Sequence, residues 1–326
     1  MRNKKETEKR EFLIKGLLFL VGMLVCLEFL SLLTYPKDNT KKSGAYNYQA
    51  KGIYSEEKKS VDVIAIGASN FWCGYIPMQI WKNEGYTSYN CGTLMQHIWY
   101  TYYFLQKIYK TQQPKVVLID ADVFFIEDST TLQNVNDMIR NTLYWKLPVV
   151  EYHDRWKSLS RHDFSGKVHY TFDNEMKGFY YVNYKQPYIL KNYMHQRLNN
   201  QEVTVLDRIF MSKIIKLCKS HGTKIVLVEA PTESSWNYIR HNAIAAYAKE
   251  KKMDFIDANY QNIGIDWNID SRDGGYHLNY SGAQKFTTFV EDYLKKNTKL
   301  TDHRLDSNYS NWNTDLAKFQ NEVNPK

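Results

Sequence analysis

Val61-Asp-Val-Ile-Ala-Ile66-Gly67-Ala-Ser69-Asn70 is the stretch on which the reading of this chain turns. Its first six residues are almost entirely apolar and rich in β-branched side chains, and they stop at a glycine. That is the signature of a strand buried on both faces of a parallel sheet. Ser69 then stands where a helix begins, and free backbone N–H groups there can hold a developing negative charge. Serine is also a common helix cap. Taken alone, the stretch defines a strand and a turn and leaves the chemistry open.

Working outward, residues 87–90, 115–120, 224–229 and 254–257 read as four further strands. Helical patterns fall at 74–84, 95–110 (ended before Pro114), 203–220, 236–250 and 281–295. Five strands interleaved with helices predict an α/β fold, a doubly wound five-stranded parallel sheet that binds ligands at the carboxyl ends of its strands. Residues 130–200 break this rhythm and are crowded with aromatics, among them Tyr144, Trp156, Tyr170, Tyr180 and Tyr188. They read as an insertion over the strand ends, within a domain spanning 61–298 and followed by a tail at 299–326.

The second half of a site lies far along the chain. Asp273-Gly-Gly-Tyr-His277-Leu-Asn279 follows the fifth strand, in a loop at the same carboxyl edge as Ser69. A serine hydroxyl within reach of an imidazole, itself oriented by a carboxylate, makes an activated nucleophile. Glu229 and Pro231 close the fourth strand at that edge, and Glu229 is a candidate substrate contact. The Gly-x-Ser-x-Gly elbow of the α/β-hydrolases is absent, because Phe71 occupies its fifth position.

At these residues the chain resembles the SGNH/GDSL hydrolase superfamily. Within it, the resemblance is to the membrane-anchored branch that works with membrane-bound O-acyltransferases, such as the alginate acetylation and teichoic-acid D-alanylation proteins. Gly67-Ala-Ser69-Asn70, Tyr89-Asn-Cys-Gly92 and His277-Leu-Asn279 carry it, across roughly residues 61–315. The resemblance implies Ser69 as nucleophile, His277 as general base, and the backbone N–H groups of Ser69 and Gly92 as oxyanion donors. Asn70 and Asn279 of the same blocks are further candidate substrate contacts. Two features depart from the family. The acid usually three residues before the histidine is Gly274 here, so Asp273, four before, or Asp270 must serve. The Gly-x-Asn-Asp block is replaced by Asp120-Ala-Asp122.

The N-terminus supplies the setting. A basic stretch at 1–15 precedes an apolar run at 16–35, interrupted only by Glu28 and closed by Tyr35-Pro36. It is long enough to span a bilayer and lacks a small-x-small cleavage site. The expectation is a single-pass signal anchor in the cell membrane, with its basic end inside, a linker at 36–60, and the remainder on the extracytoplasmic side. The 326 residues carry a net charge of +8, spread along the chain without a nucleic-acid motif, so a nucleic-acid partner is not expected. The four cysteines show no metal spacing, and neither metal nor organic cofactor is implied. The resulting expectation is an acyltransferase, in the first place an O-acetyltransferase. It would take its acyl group from a polytopic membrane O-acyltransferase and pass it to a cell-envelope polysaccharide or a teichoic-acid-like acceptor. An esterase or deacetylase using water, and a non-catalytic polysaccharide-binding scaffold, are the alternatives.

Overall fold

A computed structural model of the chain describes residues 2–126, 131–165, 167–189, 192–198 and 202–324. Parts of the expected insertion, at 130, 166, 190–191 and 199–200, lie outside the described residues, as do residue 1 and the last two of the tail. The chain forms two compact units, residues 1–45 with 131–170, and residues 46–130 with 171–326.

The first unit is built on helix α1 (Arg2–Thr34). Its stretch from Glu6 to Thr34 is long and apolar enough to cross a membrane. Large apolar side chains such as Phe12, Phe19, Val25 and Leu32 stand exposed along it. Near the foot of α1, Tyr35 meets Tyr152 edge-on with ring centroids 5.9 Å apart. Arg155 donates to the Thr34 carbonyl at 2.5 Å and pairs with Asp163 at 2.7 Å. The stretch expected as one insertion is therefore divided, with residues 131–170 grouping with α1 and residues from 171 onward with the sheet.

The second unit carries β1 (Val63–Ile66), α2 (Ser69–Gly74), α3 (Pro77–Glu84), β2 (Ser88–Asn90), α4 (Ile98–Ile108) and β3 (Val116–Asp120). After residue 171 come α5 (Val205–Ser220), β4 (Lys224–Glu229), α6 (Tyr238–Lys251), β5 (Asp254–Asp257), α7 (Tyr280–Asn297) and α8 (Ser310–Val323). The strands pair in the order β2-β1-β3-β4-β5, all parallel. This is the doubly wound fold, and its crevice lies at the carboxyl ends near β1, where the strand order reverses.

Strand periodicity of two explains the layers. Val63, Ala65, Val116, Leu118, Val226 and Val228 join Phe71, Phe286, Val290 and Leu294 in one core, so α2, α3 and α7 cover that face. The alternate residues Ile64, Ile66, Val117, Ile119 and Leu227 are equally buried and point to the other face. The helix expected at 74–84 begins only at Pro77 and is separate from the short helix that Ser69 opens. Pro77 forces its predecessor out of helical conformation, and Tyr75 and Ile76 are both extended. The expected tail contains α8, which buries Trp312 and Phe319 and packs against α3, with Trp312 and Trp81 rings 5.4 Å apart.

Candidate active site

The turn after β1 brings Ser69 to the first position of α2, and three contacts hold that turn. Gly67 lies so close to β3 that a Cβ on it would sit 2.0 Å from the Asp120 Cβ, which only glycine permits. The Ala68 N–H donates to Asp120 Oδ2 at 2.9 Å. The Thr93 N–H donates to the Gly67 carbonyl at 3.0 Å. At the far end of the helix, Asn90 Nδ2 donates to the carbonyls of Phe71 at 2.6 Å and Tyr75 at 2.8 Å, the first of which also accepts the Tyr75 N–H. The short helix is thus gripped at both ends. Neither Asp120 nor Asn90 announces this role in the sequence, because their partners belong to another element.

His277 arrives on a hairpin. Arg272 N–H donates to the His277 carbonyl at 3.0 Å and Asn279 N–H to the Asp270 carbonyl at 2.9 Å. Gly274 and Gly275 turn the tip with φ of 74° and 92°. This places His277 Nε2 2.8 Å from Ser69 Oγ. The other ring nitrogen, Nδ1, is 2.6 Å from Asp273 Oδ2, while Asp273 Oδ1 accepts the His277 backbone N–H at 2.7 Å. Two glycines at the tip let the loop absorb the fourth residue of the Asp–His spacing. Asp270 faces away, accepting from Lys285 at 2.6 Å, Ser281 at 2.7 Å and the Asp266 N–H at 2.8 Å.

Burial pushes the Asp273 carboxyl up, but its hydrogen bonds and charge interaction with His277, joined by Arg272, outweigh this and hold it below the usual carboxylate range. An ionised Asp273 fixes the proton of the neutral ring on Nδ1, so Nε2 is left as the acceptor facing Ser69. Ser69, Asp273 and His277 are each partly exposed. The arrangement can take a proton from the serine hydroxyl and stabilise the imidazolium that results. Cys73 lies one turn from Ser69 and donates to its carbonyl at 3.0 Å, and burial pushes its thiol up to about 12, which leaves it unreactive.

The remaining expected site residues fall elsewhere. The Gly92 N–H, expected to face an oxyanion, donates to Asn90 Oδ1 at 2.9 Å, and the glycine is needed because a Cβ would lie 2.7 Å from the Trp72 nitrogen. The Ser69 N–H has no acceptor among the described residues. Asn70 is buried, its Nδ2 shared between Asp122 at 3.3 Å and Ser235 at 3.4 Å. Asn279, expected as a substrate contact, is buried. It is the N-cap of α7, accepting the Gly282 N–H and donating to the Ile269 carbonyl at 2.7 Å. Glu229 is also withdrawn from the surface, fully buried with neither carboxyl oxygen partnered among the described residues. Burial, reinforced by the nearby charges of Asp120, Asp122 and Asp257, pushes its carboxyl well above the ordinary range. No group of three or more His, Cys, Asp or Glu among the described residues could hold a metal ion.

No family model and no curated protein matches the chain. Among solved structures, it is similar to a GDSL-like lipase from Bacteroides thetaiotaomicron, at 14% identity and a TM-score of 0.40, covering 76% of this chain and 95% of that one. It is also similar to an acetyl xylan esterase from the rumen bacterium Butyrivibrio proteoclasticus, at 10% identity and a TM-score of 0.33, covering 73% and 64%.

Proposed function

We propose that this chain is an SGNH-type serine enzyme that carries an acyl group on Ser69 and passes it to a hydroxyl of a cell-envelope polysaccharide. The observation that carries the reading is the unbroken series from Ser69 Oγ through His277 to Asp273, with steps of 2.8 and 2.6 Å. In the first half-reaction Ser69 Oγ attacks the acyl carbonyl while His277 Nε2 takes its proton, then returns that proton to the departing oxygen. In the second, the acceptor hydroxyl gives its proton to Nε2 and attacks the acyl carbon, and Ser69 leaves and is reprotonated. The Ser69 N–H is the backbone donor available to the oxyanion. Helix α1 supports an anchor in the cell membrane with this site on the extracytoplasmic side, where a polytopic O-acyltransferase would supply the acyl group.

Intact-mass spectrometry of the full chain in detergent, incubated with an activated acetyl ester, tests the reading. The expected result is one acetyl added to the native protein and none to Ser69→Ala. Folded protein that shows neither an adduct nor ester turnover would overturn it. A second reading, hydrolysis, draws on the partial exposure of Ser69 and His277, since water can approach the same carbon. Adding a glycan acceptor to the acylated protein separates the two by whether acetyl appears on sugar or as free acetate.

A further inference from the structure

We infer that a cleft near the nucleophile binds one neutral pyranose ring of a glycan, packed against the Trp72–Tyr180 pair and hydrogen-bonded by Gln49 and Thr93. This deepens the acyl-transfer reading, and rests on it only for Ser69 being the reacting group.

The cleft holds about 260 Å³ and lies among residues 47–50, residues 92–94, Trp72 and Tyr180. Two of its lining residues connect to the segment that presents the nucleophile. Trp72 is three residues along α2 from Ser69, and the Thr93 N–H is bonded to Gly67 in the turn that presents Ser69. Trp72 and Tyr180 stack with ring centroids 4.2 Å apart and planes 18° apart. The Tyr180 N–H donates to the Trp72 carbonyl at 2.9 Å, so the pair is fixed from the backbone. Tyr180 nevertheless keeps 36% of its surface exposed.

The lining identifies the ligand class. No charged side chain lines the cleft, and the nearby Arg272, 5.9 Å from the centre of the Tyr180 ring, is paired with Asp273, which disfavours phosphate or carboxylate ligands. An alkyl chain would suit the aromatic rings but would strand the polar groups beside them. The Gln49 side-chain amide has no partner among the described residues. The Thr93 hydroxyl donates to Gln96 at 2.9 Å and keeps acceptor capacity. A sugar satisfies both demands, offering its C–H face to the rings and its hydroxyls to the amide and the threonine. The volume is below the roughly 300–1,000 Å³ of drug-sized sites, so it suits one ring of a polymer whose neighbours run on over the surface.

Calorimetric titration of the full chain carrying Ser69→Ala, in a detergent without a sugar head group, tests this. Xylotetraose and chitotetraose are the neutral glycan probes, and octanamide is the alkyl probe. At least one tetrasaccharide is expected to bind, with roughly tenfold weaker affinity when Tyr180→Ala or Gln49→Ala is added and near-native affinity with Tyr180→Phe. A thermal melt of each variant establishes that it is folded. Absence of tetrasaccharide binding in folded protein overturns the inference, as does binding that both substitutions leave unchanged. Binding of octanamide alone, lost in Tyr180→Ala, overturns it in favour of an acyl pocket. Because Ser69 is already replaced, none of these results depends on whether Ser69 carries an acyl group, which the mass measurement decides separately.

Discussion

One carboxylate, Asp273, takes both the ring and the backbone N–H of His277, so it sets the tautomer of the imidazole and the angle at which it meets Ser69. Arg272 donates at 3.2 Å to Oδ2, the same carboxylate oxygen that faces the His277 ring. Asp273→Asn removes the charge that stabilises the imidazolium and favours the wrong tautomer. Acyl transfer or ester turnover is expected to fall by roughly two to four orders of magnitude. Asp270→Asn is the contrasting variant. It weakens the ion pair with Lys285 and so lowers the melting temperature, but it touches neither His277 nor Ser69, and kcat of the folded fraction should change only a few-fold. Equal losses of kcat in the two variants would reject Asp273 as the orienting acid. The pH dependence follows the same residue. A carboxyl held below its ordinary value contributes fully above about 3.9 and loses its charge only as pH falls through the lowered folded value. The Asp273 contribution to stability should therefore persist through mildly acidic pH, so denaturation curves of the native chain and Asp273→Asn should converge only below about pH 3.9.

At the scale of elements, α7 and the hairpin before it are joined through Asn279. Its side chain caps the helix and also reaches back to the Ile269 carbonyl, while its N–H closes the hairpin on Asp270. Asn279→Ala is expected to cost about 1–2 kcal/mol of stability through the lost cap, measured by chemical denaturation. It should also lower kcat, because the hairpin that presents His277 loses its tie at one end. A full-strength kcat in that variant would leave Asn279 a cap and nothing more. The cap was open to a reading of the sequence, since an asparagine just before a helical run is itself a helix-start signal, but its place in a motif drew it to the substrate. The buried strands were legible for a simpler reason, as β-branched runs ended by Gly67 or Asp120 mean the same thing in any parallel sheet. The split of α2 from α3 was likewise written locally, in Pro77. Glu229 was not legible, because a strand-end carboxylate faces a ligand or is buried according to loops elsewhere. Nor was the loss of the Gly92 N–H to Asn90, which depends on the close approach of α2 to the turn after β2.

The molecule-scale counterpart is Lys177, a fully buried lysine whose partners lie far along the chain in both directions. Its Nζ pairs with Glu56 at 2.8 Å and Asp315 at 2.7 Å and stands 4.8 Å from the centre of the Trp312 ring. Burial alone would lower its pKa, but the two carboxylates outweigh this and keep it charged. Three distant segments thus meet on one ammonium: the approach to β1, the stretch around residue 177, and α8. The backbone there has a further task. The Lys177 carbonyl accepts the Asn90 N–H at 2.8 Å, so this stretch covers the open side of β2, which would otherwise be an unpaired sheet edge. Lys177 itself is held at φ 47°, and Gly178 follows at φ 87° because a Cβ would lie 1.9 Å from the Asn90 carbonyl oxygen. Three residues after Lys177, Tyr180 reaches Trp72 in the helix that carries Ser69. Lys177→Met keeps much of the volume but leaves Glu56 buried without its cation and Asp315 with Lys318 alone, 3.3 Å away. Removing one partner of such a cluster costs about 3–5 kcal/mol, so the melting temperature should fall sharply. Hydrogen exchange at the Asn90 amide should accelerate more than at amides in β3, because the cover of the β2 edge loosens first. Unchanged exchange at Asn90, together with an unchanged melt, would mean that the backbone pairing holds this edge without the buried charge.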